Sequence, residues 1–417
     1  MGSRRLVDAK RRPWRMLSNP ITALRHVPFR WFMVAQLCSS HANWMDNLVR
    51  GWLVYEITGS VAQLGLVTAT KGIPLLGVSI VGGVLADRLD RRRLLQGSCV
   101  VAGVTHAATA GLILTGGLEL WHLYVTAAVV GVARSVQSPT RLAIVNNTVD
   151  QATLQNAVVL NTSAGTLAQS IGPALGGVLV DTSGFGWAFG VQATLLGLAV
   201  VATNRIELSR ELPGKGGGES FLVAVRGGFR YVRHNRLVLM LLMVALLPML
   251  FGLPYQNLIP AAADELFGLG PTGTGLLLGG SGVGAFMSLV VLAFLPTARR
   301  PGLWMLLSVM MFGGSIALFA WSGHFGVALL AVVLAGVSRG VYRTFNHTLL
   351  LSVTDDNYLG RVNSIYTMDR GLVPLGTVMV GFAAEAFGTG LAIGLSGSVC
   401  VVVGAAVAFF ARSLRNA

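Results

Sequence analysis

The chain has 417 residues, of which 53% are hydrophobic and only 12% are charged, and its mean hydropathy is +0.67. A soluble chain of this length would need more charge to cover its surface. Apolar stretches of about 20 residues recur along the sequence, which is the length that crosses a hydrocarbon core about 30 Å thick. The composition therefore predicts an all-α integral membrane protein and excludes an ordinary soluble domain.

Twelve membrane spans are predicted in chain order. They cover residues 31–57, 62–86, 94–116, 120–141, 153–180, 185–204, 237–262, 273–296, 302–321, 325–349, 362–387 and 390–411. The loops EITGSVAQ, TGGLELWH, DTSGFG, ADELFGLGPTG, SGHFG and FGTG alternate with the others and contain no Lys or Arg. An even number of spans puts both termini on the same side of the membrane.

The formal net charge of +14 raises the possibility of a nucleic-acid partner. The distribution of the charge favours another explanation, because the basic residues gather in every second loop. They cluster in the N-terminal tail, at 88–93, from 205 to 236, at 299–300 and at 412–415. Cytoplasmic loops of membrane proteins carry such an excess of Lys and Arg. We therefore expect a multi-pass inner-membrane protein with both termini in the cytoplasm and no nucleic-acid partner.

The centre of the chain divides it into two halves. A Pro- and Gly-rich stretch ending in LPGKGGGES indicates a flexible linker. The next residues, FLVAVRGGFRYVRHNR, place Val232 and other apolar side chains on one helical face and Arg on the other, which is typical of a helix lying on the lipid bilayer. The alternative, which we favour, is that this segment simply tethers the two halves. The predicted divisions are a basic tail (1–30), an N-terminal six-helix bundle (31–207), a cytoplasmic linker (208–236) and a C-terminal six-helix bundle (237–417).

An internal repeat supports this division. A shift of 205 residues aligns GVARSVQ with GVSRGVY, so that Arg134 meets Arg339 and Gly176 meets Gly381. The shift is close to half the chain length, and both copies fall on equivalent spans. Internal repeats of this kind are common in secondary transporters.

Two segments carry a family resemblance. Between the second and third spans stands GGVLADRLDRRR, and the fifth span contains AQSIGPALGG. The first is similar to the signature loop of the major facilitator superfamily, and the second resembles the antiporter motif of its bacterial drug and siderophore exporters. The matching residues are Gly83, Asp87, Arg88, Arg91 and Arg92 in the loop, and Gly172, Pro173, Gly176 and Gly177 in the fifth span. In the fourth span, Arg134-Ser-Val-Gln137 matches a third motif of the superfamily only in part.

The resemblance implies two pseudo-symmetric six-helix bundles around a central cavity, which the first, fourth, seventh and tenth spans line. It implies alternating access, with the Arg-rich loop acting in gating, and it associates the fifth-span motif with export. The alternative for the loop is a purely topological role, as a positive segment that stays in the cytoplasm. We expect the protein to function as a monomer.

The first span carries the most informative polar pattern. At about 100° per residue, Asn43, Asp46, Asn47 and Arg50 share one third of the helix circumference, whereas His41 lies on the apolar side. A polar stripe at this depth is costly unless it faces water or polar partners, so it should line a cavity. The alternative is a buried Asp46–Arg50 ion pair that only holds the bundle together.

Further polar residues lie in other spans. The predicted substrate or proton-coupling set also includes Lys71, Arg134, Gln256, Asn257, Arg339, Tyr366, Asp369 and Arg370. Basic residues outnumber acidic ones within the membrane, which predicts a substrate with an anionic or electron-rich group. Asp46 is the predicted proton-coupling residue, since burial and a neighbouring cation shift a carboxyl group in opposite directions.

The function these features favour is proton-coupled efflux of small amphiphilic compounds. An importer or a lysophospholipid flippase of the same fold is the first alternative, and a receptor or scaffold that transports nothing is the second. An enzyme is not expected, because the sequence contains no HExxH, P-loop or GxSxG motif. No cofactor and no metal site are expected either.

Overall fold

The computed structural model describes residues 21–74, 89–207, 227, 230–294, 300–355, 358–367, 371–411 and 414. These residues form helices and contain no strand. The first half comprises α1 (Val27–Thr58), α2 (Val61–Gly72), α3 (Arg91–Leu114), α4 (Leu120–Thr148), α5 (Leu154–Ser183) and α6 (Phe185–Asn204).

The second half begins with α7 (Arg236–Leu247), a π-helical turn (Pro248–Gly252) and α8 (Pro254–Phe267). It continues with α9 (Pro271–Phe294), α10 (Pro301–Trp321), α11 (Phe325–Val353), α12 (Leu359–Thr367), α13 (Val373–Phe387) and α14 (Thr389–Phe410). The π-helical turn lies where Pro248 and Pro254 remove backbone donors from the predicted seventh span. Pro260 is accommodated within α8.

Polar residues mark several helix starts. Ser60 accepts a hydrogen bond from the backbone N–H of Gln63 and so caps α2. Asp90 caps α3 through the N–H groups of Arg92 and Arg93, and Asn235 caps α7. Such side chains satisfy donors that the first helical turn leaves without partners. The turn between α1 and α2 uses Gly59 at φ 61°, a conformation that glycine adopts without strain.

Seven helices within the described ranges are long and apolar enough to cross a membrane. They are α3, α6, the α7–α8 pair, α9, α10, α11 and α14. The helices α1, α4 and α5 are longer than most of these but contain many polar residues, and part of the predicted second span lies outside the described residues. The all-helical membrane fold is confirmed, while the number of twelve spans remains a prediction.

The outer surface is apolar, as a lipid-facing surface should be. Large hydrophobic side chains such as Phe410, Trp187 and Val104 are 80%, 63% and 64% exposed. Small and polar residues pack inside, among them Ala127, Ser135 and Gln192. Water would penalise this distribution, whereas hydrocarbon favours it.

The helices of each half pack mainly on one another, and two seams join the halves. In one seam α5 lies along α9, and in the other α2 lies along α13. Glycines bring the backbones close together in the first seam. A Cβ atom on Gly282 would lie 2.5 Å from the Ser170 nitrogen, and one on Gly275 would lie 2.6 Å from the Pro173 oxygen. Only glycine fits at such positions, as in other close helix pairs of membrane proteins.

Most of the predicted linker, with the first part of its amphipathic helix, lies outside the described residues. Its last turn packs against the second half, where the Tyr231 ring stacks on Tyr358 with centroids 4.4 Å apart. Val232 is 5% exposed and belongs to the apolar core of that half. We expected Val232 on a lipid-facing surface, but here the apolar face of this turn contacts protein.

Candidate functional site

A cluster of buried charges joins the first helices of the chain. Asp46 on α1 is fully buried, and Arg50 one turn later and Lys71 on α2 are 3% and 9% exposed. Arg50 Nε donates to Asp46 Oδ1 at 3.0 Å, and Arg50 Nη2 lies 2.9 Å from the same oxygen. Lys71 Nζ pairs with Asp46 Oδ2 and donates to Asn47 Oδ1 at 2.9 Å. One carboxylate therefore faces two cations.

Neighbouring helices complete this charge cluster, which we define as Asp46, Arg50 and Lys71. Arg50 Nη1 donates to the Thr126 hydroxyl of α4 at 2.7 Å, and its guanidinium lies 5.4 Å from the centre of the Phe189 ring on α6. His106 of α3 is 1% exposed, with Nδ1 3.8 Å from Asp46 Oδ1. The contacts of the cluster thus tie α1 to α2 and α4. Its two cations and one carboxylate give the cluster a net positive charge.

The charge cluster lines a small cavity of about 20 Å³. Apolar walls come from Val54, Leu64 and Val67, and Asn257 of α8 reaches the same cavity from the second half. Asn257 Nδ2 also donates to the Thr377 hydroxyl of α13 at 2.8 Å. A cavity of this size holds about one water molecule, so a larger ligand would bind only after the lining helices move apart.

The other predicted site residues are placed as follows. Asn43 donates to its own helix, at the Ser39 carbonyl oxygen 2.8 Å away. Gln256 donates to the Ser281 hydroxyl at 3.2 Å, which links α8 to α9.

Arg134 on α4 and Arg339 on α11 are both half-buried. Tyr366 is 3% exposed and stacks on His347 at 5.1 Å.

Of the predicted gating loop, Gly83, Asp87 and Arg88 lie outside the described residues, as do Asp369 and Arg370 of the substrate set. Arg91 and Arg92 open α3. Arg92 donates to the Asn204 carbonyl oxygen at 2.5 Å and to the Ile206 carbonyl oxygen at 3.3 Å. These contacts stabilise the C-terminal end of α6 within the same half.

The antiporter-like motif forms two packing surfaces on α5. A Cβ atom on Gly172 would lie 2.9 Å from the Trp44 side chain, and one on Gly176 would lie 3.2 Å from Val49, so both glycines face α1. Gly177 faces the opposite half, where it meets the backbone at Pro271. Pro173 stays within a continuous helix. The motif therefore positions α5 between α1, which carries Asp46, and α9.

Sequence reasoning missed two residues, His106 and Arg141. His106 is the one histidine of α3, and its place in the middle of an otherwise mostly apolar helix was the available signal. Arg141 lies two turns after Arg134 on α4 and donates to the Ser39 hydroxyl at 2.7 Å and to Gln137 Oε1 at 3.0 Å. The seven-residue spacing puts both arginines on one helix face.

A helical membrane fold with two contacting halves and a charged cavity that both halves line defines a membrane transporter of the secondary type. Residues 18–417 match the family described as "Transmembrane secretion effector". The chain belongs to this family of the major facilitator superfamily. It is a transporter and not an enzyme.

Curated relatives cover most of the chain. The chain is 24% identical to the staphyloferrin A transporter of Staphylococcus aureus over 404 residues, which are 93% of this chain and 97% of that protein. It is 28% identical to the enterobactin exporter EntS of Shigella boydii over 350 residues, with 82% and 81% of the two chains covered.

Solved structures share the fold at low sequence identity. The nucleoside transporter NupG matches with a TM-score of 0.75 at 13% identity, covering 92% of this chain and 99% of that one. A bacterial homologue of the human lysosomal transporter Spinster, in an inward-facing and unoccupied conformation, matches with a TM-score of 0.71 at 14% identity, covering 93% and 98%.

Proposed function

We propose that this transporter exports small amphiphilic anions across the inner membrane, coupled to protons, by alternating access. The observation that carries the proposal is the charge cluster. Two cations and one carboxylate lie in a cavity that Asn257 reaches from the opposite half. A ligand held there would contact both halves, which is the arrangement that alternating access needs.

The anionic substrate class follows from the excess of positive charge. Lys71 and Arg50 share a single carboxylate, and Arg134 lies on the adjacent helix α4. A buried charge without a counter-ion is costly, so an anionic group of the substrate would complete the cluster favourably. The two relatives compared are a staphyloferrin A transporter and an enterobactin exporter by name. Staphyloferrin A and enterobactin are therefore the first compounds to test.

Proton coupling is assigned to Asp46. Both of its oxygens are held by cations from two helices. A proton on this carboxylate would remove its charge and release Lys71 of α2 and Arg50 of α1. The protonated and deprotonated forms would then hold α1 and α2 together differently, and a proton would bias the equilibrium between two conformations.

The direction of transport and the orientation of the chain belong to the same proposal. Efflux is the direction named for the enterobactin exporter. The loops without Lys or Arg would face the outside, and the basic loops with both termini would face the cytoplasm.

The test uses everted membrane vesicles that hold a preformed proton gradient. Enterobactin, citrate and a lipophilic monocation are added separately, and the fluorescence of a pH-sensitive dye is recorded. We compare wild type with Asp46→Asn and with the matched variant Glu119→Gln, which neutralises an exposed carboxylate outside the cavity. Protein content is equalised by immunoblot, and only variants that still show a cooperative thermal unfolding transition are compared.

Dissipation of the gradient by the anions alone, lost in Asp46→Asn and kept in Glu119→Gln, would support every part of the proposal. A response to the monocation alone would refute the anionic substrate class. Unchanged transport in Asp46→Asn would refute the coupling role of Asp46. Anion uptake that consumes the gradient only in right-side-out vesicles would instead establish an importer.

A further inference from the structure

At one end of the bundle, two carboxylates each accept hydrogen bonds from the opposite half. We call this the acidic end; it is where α1, α3, α5, α8, α10 and α13 finish, and it carries Glu56, Glu119, Asp181, Asp264, Glu265 and Glu385. Asp181 lies two residues before the end of α5. Its Oδ2 accepts a hydrogen bond from the backbone N–H of Thr272 at 2.9 Å. Thr272 is the second residue of α9, in the opposite half.

Glu385 makes the corresponding contact in the other seam. It lies two residues before the end of α13. Its Oε2 accepts from the backbone N–H of Ala62 and from the Ser60 hydroxyl, both at 3.1 Å. Ala62 is the second residue of α2, so here a carboxylate of the second half caps a helix of the first half.

The two contacts fall on equivalent helices of the two halves. Asp181 and Glu385 each lie two residues before the end of their helix, and their partners Thr272 and Ala62 are each the second residue of α9 and α2. In each case a negative charge meets the N-terminus of a helix, where the peptide dipoles and unsatisfied N–H groups favour an anion. The loops of this end contain no Lys or Arg, so the partners are backbone and hydroxyl groups.

Tight packing lies beneath each contact. Below Asp181, Gly177 meets the backbone at Pro271. Below Glu385, a Cβ atom on Gly381 would lie 3.2 Å from the Val61 oxygen. The acidic end cannot open while these helix ends stay together, and each carboxylate lies at one of these contacts.

We propose that Asp181 and Glu385 are the gating residues of the acidic end. Each carboxylate locks its seam by capping a helix of the opposite half, and both must release when the central cavity opens to that side. This inference rests on the alternating access of the proposed function. It adds two positioning residues that lie away from the cavity and that the signature motifs do not include.

The test measures the conformation without any substrate. Spin labels are attached at Thr115→Cys and His324→Cys, two exposed loop positions in opposite halves at the acidic end, after Cys38, Cys99 and Cys400 are replaced by alanine. Distances are measured by double electron–electron resonance in lipid nanodiscs. Each lost charge-assisted hydrogen bond should raise the ratio of open to closed molecules about tenfold.

We therefore expect Asp181→Ala and Glu385→Ala each to increase the long-distance population, and the double variant to increase it further. Asp181→Glu and Glu385→Asp, which keep the charge, should restore part of the closed population. Glu119→Gln is the matched control, because Glu119 lies at the same end but caps α4 within its own half. Thermal unfolding of each labelled protein identifies variants that fail to fold.

An unchanged distance distribution in a folded double variant would overturn the inference, as would an equal shift in Glu119→Gln. The vesicle assay then separates this inference from the proposed function. A shift in distance together with wild-type substrate selectivity and altered turnover supports gating. A shift in distance with no anion transport even in the wild type would leave the gate intact and refute only the proposed function.

Discussion

The charge cluster makes an asymmetric prediction about stability. In the wild type two cations share one carboxylate, so the cluster carries one net positive charge. Asp46→Asn keeps the side-chain volume but leaves two buried cations without a counter-ion. Lys71→Met leaves the Asp46–Arg50 pair intact and makes the cluster neutral. We expect the first substitution to destabilise the protein much more than the second.

The magnitudes follow from burial. Asp46 is fully buried and Arg50 is 3% exposed, so little water is available to screen the uncompensated charges. Removing one partner from a buried ion pair costs about 3–5 kcal/mol. Lys71→Met removes a hydrogen bond to a charged group but leaves no buried charge without a counter-ion. This substitution should lower the free energy of unfolding by about 1–3 kcal/mol. The double variant Asp46→Asn/Lys71→Met returns to one net charge and should be more stable than Asp46→Asn alone.

The assay is thermal unfolding of the purified protein in a single detergent, followed by intrinsic tryptophan fluorescence, with the four proteins of the double-mutant cycle measured together. Glu119→Gln again serves as the control, because it removes one carboxylate charge outside the cluster but keeps a side-chain oxygen that can accept the hydrogen bonds of Glu119. Equal losses in Asp46→Asn and Lys71→Met, or additive losses in the double variant, would refute the view that net charge controls the stability of the cluster.

Three further predictions concern other parts of the chain. Gly131→Val should destabilise the protein by about 1–3 kcal/mol in thermal unfolding and abolish transport in vesicles, because the new Cβ would lie 3.0 Å from a backbone carbon of α2. Gly197→Val is the control in both measurements, because Gly197 has open space around it. Asn257→Leu should weaken substrate affinity about tenfold in a binding titration with little change in thermal stability, and unchanged affinity would exclude Asn257 from the site. The Thr153 hydroxyl and backbone N–H hold the pKa of Asp150 below its usual value. The stability that this contact adds is therefore complete above about pH 5 and lost as the pH falls further; a stability difference between wild type and Asp150→Ala that does not shrink in acid would contradict this.

The polar stripe of the first span could be predicted from the sequence, because a helix places residues three and four apart on one face whatever surrounds it. Asp46 and Arg50 lie four apart in the sequence and pair in the structure. Asn43 belongs to the same stripe but bonds to its own helix. Helical periodicity thus identified the face of the helix but not the partner of each side chain.

Contacts between residues far apart in the chain could not be predicted from the sequence. His106 approaches Asp46 across 60 positions, and Glu385 caps a helix 323 residues earlier in the chain. Neither pair has a local signal, since each depends on how the helices cross. The linker shows the same limit, because amphipathicity revealed that Val232 has an apolar environment but not whether that environment is lipid or protein.

The sequence alone determined the class of this protein, because a hydrocarbon core requires long apolar helices and each such helix is specified by a local stretch of the chain. Its motifs also identified the superfamily. Only the tertiary structure decided which charges meet, since Lys71 of α2 and Thr126 of α4 join the Asp46–Arg50 pair through helix packing. The same packing placed carboxylates on helix ends of the opposite half. Both arrangements depend on the close approach of backbones at glycines, which no local pattern specifies.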